Sequence, residues 1–473
     1  MQSITFGEWL PDQPPIAGAL VDAFNVIPNQ IGYAPLPTVS AISNDASDNL
    51  NGVFSGRFGD TTKVFATSDT KIFSYSSSDL NLTNISRSGN YSASVTGRWT
   101  FAQFGKVMLA ANGVEPLQAY TLDSSSTFLN VASAAPTATF VSVIRDFVVC
   151  GNTPSNPNRV LWSDINDETD WVSGPASQSD SQDLPDGGNI QGITGGEFGL
   201  IFLQRSISRM TYAGAPLYFQ FDTISRGLGC LEPRSIAQYG KLSFFLSDDG
   251  FYYCDGQSVV PIGAEKVDRF FFNDAELSLL NTMSAAVDPV RRCVFWKYSN
   301  NSSAKSIIIY NWQVKRWTRG ETNADFIAGI DTEGITLESL NNYSSSLDAL
   351  GISLDDRFWV ANNTLLAGVQ DSKIVAFSGA STGSEIVTGD LTKENCVITL
   401  AKPQVDKGTA SVAVSSRDRL DSDVTFGSVA NADSENRCSL RSHGRYQRVK
   451  VLPSGNYTSA VGIDLLIRKR GNR

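Results

Sequence analysis

One phrase returns six times along the first two thirds of this chain, and it restricts the fold more than any other feature of the sequence. A tight turn opens a short apolar-rich strand, and a second apolar strand ending in an aromatic follows. The openings are "FGDTTKVFAT" at Gly59, "FGKVMLAANG" at Gly105, "IRDFVVCGN" at Asp146, "EFGLIFLQ" at Gly199, "YGKLSFFLS" at Gly240 and "VRRCVFWKY" at Arg292, spaced 41 to 53 residues apart. The second strands keep step as "KIFSY", "LQAYTL", "RVLWSD", "ISRMTY", "GFYYCDG" and "SIIIYNW". Weaker third strands follow most of them: "FLNVAS", "WVSG", "YFQFDTIS", "SVVPIG" and "KRWTRGE".

A small sheet repeated at this period cannot bury both faces alone and must stack on its neighbours, which is the spacing of a β-propeller blade. Six copies predict an all-β, six-bladed propeller, with seven blades as the alternative. Radial closure requires the chain ends to share a blade. The candidate closing strands are "FIAGID" (326–331), "RFWVAN" (357–362) and "KIVAFSG" (373–379), with the segment near Ala41 to Gly52 as partner. Residues 1–36, rich in Pro and Gly without a sustained period, are expected as an extended arm docked on a surface and not as a core element. Residues 37–380 form the propeller with its closing strands. Residues 381–473, with the alternating runs "CVITLAK", "ASVAVSSRD", "YQRVKVL" and "VGIDLLIRK", predict a small C-terminal β-sandwich with a basic end.

Charged residues make up 18% of the chain and aromatics 10%, a balance that suits strands and tight turns better than long helices. The net charge of −10 argues against general coating of nucleic acid, but the charge is uneven. From Arg437 onward nine Lys and Arg face one acid, Asp464, so the body carries −18 and the C-terminal end +8. The six cysteines are never close enough for a CxxC pair, and four sit in apolar strand-like runs, so buried reduced thiols are expected. The start lacks the pattern of a secretory signal, and no run of 18 apolar residues occurs, so a soluble protein made in a cytoplasm is expected, without membrane insertion.

His443 is the only histidine, which leaves little for a Ser-His-Asp or Cys-His mechanism and rules out a histidine-ligated metal site. "YGKLS" lacks the offsets of a phosphate-binding loop, and "GGEFG" at 195–199 is followed by a strand, not the helix of a dinucleotide site. No cofactor is expected. Paired carboxylates remain the one catalytic option, supplied by Asp164, Glu168, Asp170, Asp180, Asp183 and Asp186 in and after "VLWSDINDETDWV". The structural reading of that stretch is stronger. Asp side chains bond their own backbone in turns, and Trp162 and Trp171 would pack between sheets, so Trp162, Asp164, Glu168 and Trp171 are expected as a blade turn.

Several long phrases resemble the propeller-containing tail hub, or nozzle, proteins of short-tailed phages: "NVIPNQIGY", "RVLWSDINDETDW", "GGNIQGITGGEFGLIFLQRSISRMTYAG", "FFLSDDGFYYCDGQSVVPIG" with "KVDRFFF", and "RSHGRYQRVKV". The resemblance runs from about residue 20 to the end. It implies a structural virion protein and no enzymatic residues. Such a protein assembles in the host cytoplasm into a ring, commonly a hexamer, in the virion tail. The implied partners are copies of itself, the portal-adaptor ring, a tail fibre, spike or needle protein, and genomic DNA only in transit. An acidic wall suits such transit, since many phosphate contacts would hold a duplex instead of passing it.

Arg441, Arg445, Arg448 and Lys450 alternate with apolar residues, so some of them are expected to point outward as a stripe against an acidic face of a neighbouring subunit or adaptor. Contact of these residues, with Arg468, Lys469, Arg470 and Arg473, to the exiting genome is the second reading of the basic end. A propeller glycan hydrolase or glycan-binding module using the paired carboxylates is the alternative function.

Overall fold

The computed structural model of the chain describes all residues except 16–17, 93–97, 336, 345, 347–353, 355–356, 392–394 and 470–473. Its architecture is a β-propeller of seven four-stranded antiparallel units. Their first strands are Gly52–Phe58, Thr100–Phe104, Phe140–Ile144, Ile190–Thr194, Ala237–Tyr239, Ser284–Asp288 and Phe326–Asp331, defining blades 1 to 7.

Each repeated phrase of the sequence is the hairpin between the first and second strands of a blade, followed by the third. The hairpin turns need a left-handed residue, and Gly59, Gly105, Arg145, Gly240 and Arg292 sit at φ 53–62°. In blade 7 a long insertion separates the first and second strands, and it is the second and third strands that turn on Asp371, at φ 52°.

The seventh blade settles the choice the repeat left open. It joins Phe326–Asp331, Thr364–Gln370 and Lys373–Gly379 to Thr38–Ala41 from the other end of the chain. Two expected closing elements differ. "RFWVAN" is not a strand, since Arg357–Trp359 is a 3-10 turn and the middle strand starts at Thr364; the N-terminal partner lies before Ala41, with only that residue overlapping the expected segment. In blade 3 the fourth strand is Asp180–Asp183, not "WVSG", because an outermost strand facing solvent needs no apolar pattern.

Hydrogen bonds close the circle from seam to seam. Gln103 Nε2 donates to Arg57 O, Thr100 Oγ1 to Thr139 O, Arg145 N to Gly196 O and Gln238 Nε2 to Gly195 O. Trp296 Nε1 donates to Ser235 O, Ile327 N to Ser284 Oγ and Asp331 N to Ser55 Oγ. Each seam also holds its own hydrophobic core, such as Phe65, Tyr120 and Phe128 between blades 1 and 2, or Phe147, Trp162 and Phe219 between blades 3 and 4. All six cysteines are buried and free, with Cys150, Cys254 and Cys293 in these seams.

The C-terminal strands form two facing sheets. One carries Cys396–Asp406, Cys438–Gly444 and Ser459–Lys469; the other carries Glu385–Thr388, Thr409–Arg417, Ala430–Asn431 and Tyr446–Ser454. The second sheet is continuous with blade 6 through Leu20–Phe24, which pairs parallel to Arg316–Glu321 and antiparallel to Glu385–Thr388.

The N-terminal segment is therefore a core element, contrary to the reading of an arm laid on a surface. Gln2–Thr5 pairs with Ser459–Lys469 in the other sheet, and Phe6, Trp9, Leu20, Ala23, Val26, Ile27, Tyr33 and Leu36 are each at most 3% exposed. Proline and glycine mislead here because the strands are three to five residues long and packed at close range. A Cβ on Gly32 would stand 2.2 Å from Ala460 O.

Candidate functional site

The acidic stretch of blade 3 is a turn whose carboxylates serve the backbone. It follows the third strand, Arg159–Trp162, and Asp164 and Asp167 form an isolated bridge. Asp164 Oδ1 accepts Gln178 N at 2.7 Å, Asp167 Oδ1 accepts both Thr169 N and Thr169 Oγ1, and Asp170 Oδ1 accepts Val172 N. The Thr169 hydroxyl and N–H hold the Asp167 carboxyl below its usual range.

The indoles lock the two ends of the turn. Trp162 Nε1 donates to Gln178 O at 2.8 Å and its ring packs edge-on against Phe219 of blade 4. Trp171 Nε1 donates to Glu168 O at 2.8 Å and its ring rests on the core between blades 2 and 3. Glu168 contributes only its backbone carbonyl to these bonds, so of the two acids expected in the turn it is the one that does no capping. Among the other proposed carboxylates, Asp183 holds Arg159 in a bidentate pair at 2.6 and 3.0 Å, and Asp180 accepts the next backbone N–H.

The basic stripe divides. Arg441 and Arg445 are exposed, Arg445 beside the ring of Tyr446. Arg448 and Lys450 are consumed inside the subunit, which corrects the expectation of one outward stripe. Arg448 Nε donates to Asp390 Oδ1 at 2.9 Å, and Arg417 Nη2 reaches Asp390 Oδ2 at 2.7 Å. Side-chain exposures of 5% for Asp390 and Arg417 and 11% for Arg448 make this a buried charged triad. Lys450 Nζ pairs with Glu385 Oε1 at 2.6 Å and covers the Phe426 ring. Arg468 is exposed near the end of its strand, and Arg470 and Arg473 lie outside the described residues.

Sequence reasoning missed a cleft between the N-terminal segment and blade 5. Its volume is about 630 Å³, and Asp12, Asp249, Tyr252, Glu265, Asp268 and Arg269 line it. Asp12 accepts the N–H groups of Arg269 and Phe270 at the start of the helix Asp268–Asp274, and Asp268 Oδ1 accepts Phe251 N. Burial, then Asp12 and Asp249, push the Asp268 carboxyl up to about 7. No linear signal marks this pairing, because Asp12 and Asp268 lie in distant parts of the sequence.

These features define a seven-bladed β-propeller carrying a β-sandwich. No family model matches the chain, and no curated protein matches it. Solved structures similar to it include a chain of the mitotic checkpoint complex, 10% identical with a TM-score of 0.39 over 74% of this chain and 95% of that one. The Pan2 WD40 domain of Neurospora crassa is 8% identical, with a TM-score of 0.36 over 64% of this chain and 90% of its own. A Bacteroides uniformis protein assigned as a 6-phosphogluconolactonase is 10% identical, with a TM-score of 0.37 over 61% and 87%. The propeller assignment rests on the sheets themselves.

Proposed function

We propose that this chain is a structural virion protein, a tail hub or nozzle subunit that closes with copies of itself into a ring below the portal and its adaptor. The observation that carries the reading is the sheet shared by blade 6 and the sandwich, with one core spanning both. Two bodies joined by a ladder and a common core move as one block, which suits the wall of a conduit under load better than a hinged binding module.

The conduit in this reading lies between copies, not along the axis of one propeller. Arg234, leading into blade 5, donates from Nη1 to Asn51 O, leading into blade 1, and its guanidinium lies over Phe326 of blade 7. Side chains therefore cross the axis, and a duplex cannot pass there. Arg441 and Arg445 are the candidate subunit or adaptor contacts that remain, and the tail fibre or needle and the passing genome are the further partners. No helix among the described residues is long and apolar enough to cross a membrane.

Mass measurement and negative-stain imaging of the purified chain test the proposal. Rings with a central hole are expected, and neutralising Arg441 and Arg445 together weakens them in a salt-dependent way. A monomer at all concentrations sinks it. The glycan hydrolase alternative draws its best support from the cleft at Asp12, Asp249 and Asp268, where a carboxyl with a raised pKa sits beside two other acids. Oligosaccharide cleavage lost in Asp268→Asn would favour it.

A further inference from the structure

A second cleft, of about 360 Å³, lies between the N-terminal segment and the sheet that blade 6 shares with the sandwich. Trp9, Pro14, Pro15 and Phe270 give it apolar walls, and Arg319 and Arg448 stand among them. The two arginines come from different parts of that sheet. Arg319 lies on Arg316–Glu321 of blade 6 and Arg448 on Tyr446–Ser454 of the sandwich, with Leu20–Phe24 and Glu385–Thr388 between them.

The walls are held by contacts within the protein. Trp9 Nε1 donates to Val21 O at 3.1 Å, and the indole meets Phe270 edge-on at 5.1 Å. Arg319 lies over the rings of Phe24 and Phe270, and Asp22 accepts its Nε and Nη2 at 2.8 and 2.6 Å. That pair is matched, one charge to one.

Arg448 is not matched. It spends Nε and Nη2 on Asp390, and Arg417 spends its Nη2 on the same carboxylate. Lys450, the next cation on that strand, is already paired with Glu385. Two guanidiniums on one carboxylate leave one positive charge over, and a guanidinium does not shed its proton in a protein. Water does not compensate it at the inner end, because Arg417 is 5% exposed and its Nε and Nη1 are enclosed without partners. The open side is that of Arg448, which lines the cleft and whose Nη1 makes no hydrogen bond among the described residues.

A cavity of this size, with mostly apolar walls and one charged group to fix orientation, has the make-up of a small-ligand pocket. Leaving the surplus charge uncompensated is costly, and a carboxylate matches the guanidinium fork. Inorganic phosphate would meet the charge but leave the apolar walls unused.

We propose that this cleft binds a small organic monoanion, a carboxylate borne on an apolar group, with the carboxylate on Arg448 and the apolar group against Trp9, Pro14, Pro15 and Phe270. The site belongs to a single subunit and stands whether or not copies close into rings.

The test titrates 3-phenylpropionate into the full-length chain at constant ionic strength and reads calorimetric heat and melting temperature. Saturable binding with a rise in melting temperature is expected for the natural sequence. Acetate, which lacks the apolar group, and 3-phenylpropanamide, which lacks the charge, are each expected to bind about tenfold or more weakly. Arg448→Met should weaken 3-phenylpropionate by a similar factor. It leaves Asp390 and Arg417 as a matched pair, so the fold is expected to survive; Arg448→Lys, which keeps the charge and loses the fork, should weaken binding less and serves if the methionine variant does not fold. Lys407→Gln, an exposed change in a turn of the sandwich, should leave binding intact. An acetylated pentapeptide ending in phenylalanine separates a free small molecule from a chain end, and weaker binding than 3-phenylpropionate is expected. Tenfold tighter binding of the peptide would overturn the small-molecule assignment. No saturable response in the natural sequence, equal binding of the amide, or unchanged binding in Arg448→Met would overturn the site itself.

Discussion

Asp390→Ala is the most informative single substitution, because it separates a buried strut from a surface stripe. Asp390 is 5% exposed and accepts Arg417 Nη2 at 2.7 Å, Arg448 Nε at 2.9 Å and Arg448 Nη2 at 3.4 Å. Truncation removes all three acceptor contacts and strands two guanidiniums that are 5% and 11% exposed. Breaking a buried pair from one side costs roughly 3–5 kcal/mol, most of it the cost of the abandoned charge. Arg417 Nε and Nη1 already lack partners, so the triad has no slack to absorb the loss. Urea unfolding followed by far-ultraviolet dichroism and by tryptophan fluorescence measures the change, with coincident transitions required before one free energy is assigned. The loss should persist in high salt, because the pairs are shielded from solvent. Replacing the whole triad with Leu at 390 and Met at 417 and 448 should recover most of the stability. A cost below about 1 kcal/mol for Asp390→Ala, or one that vanishes in salt, would refute the argument.

The blade 3 turn predicts unequal effects for neighbouring acids. Asp164→Ala should lose about 1–2 kcal/mol in the same unfolding assay, since it abandons Gln178 N, whereas Glu168→Ala should stay within about 0.5 kcal/mol. Trp162→Ala should cost about 3–5 kcal/mol by emptying the seam between blades 3 and 4. Gly195→Ala should prevent proper closure of that seam, since the added Cβ would stand 2.1 Å from Val143 O; normal melting of this variant would contradict the stated geometry. Asp268 carries a folded pKa above its unfolded one, so its contribution is full at low pH and is lost as pH rises through about 7. Asp268→Asn should therefore gain relative stability at pH 8 over pH 5, measured as the difference in melting temperature from the natural sequence.

The repeat was legible because six blades write the same hairpin in contiguous residues, from Gly59 to Arg292. The seventh escaped the period for a physical reason. Its outermost strand, Thr38–Ala41, is supplied from the far end of the chain, and a long insertion separates Asp331 from Thr364. The turn reading of Asp164 and the two tryptophans was legible from local side-chain chemistry, which needs no distant partner. Arg448 and Lys450 were not. Alternation gives which residues share a face, but the partners that make that face internal, Asp390 and Glu385, stand some sixty residues away.

The pairing of Gln2–Thr5 with Ser459–Lys469, and of Thr38–Ala41 with Lys373–Gly379, sets an order on biosynthesis. Residues 2–5 and 38–41 leave the ribosome long before their partner strands, and must wait, unpaired, until residues 459–469 and 373–379 have followed. A product that stops short of those partners therefore presents an open blade and a half-built sandwich. Completion of both bodies is in this way tied to strands that stand hundreds of residues apart.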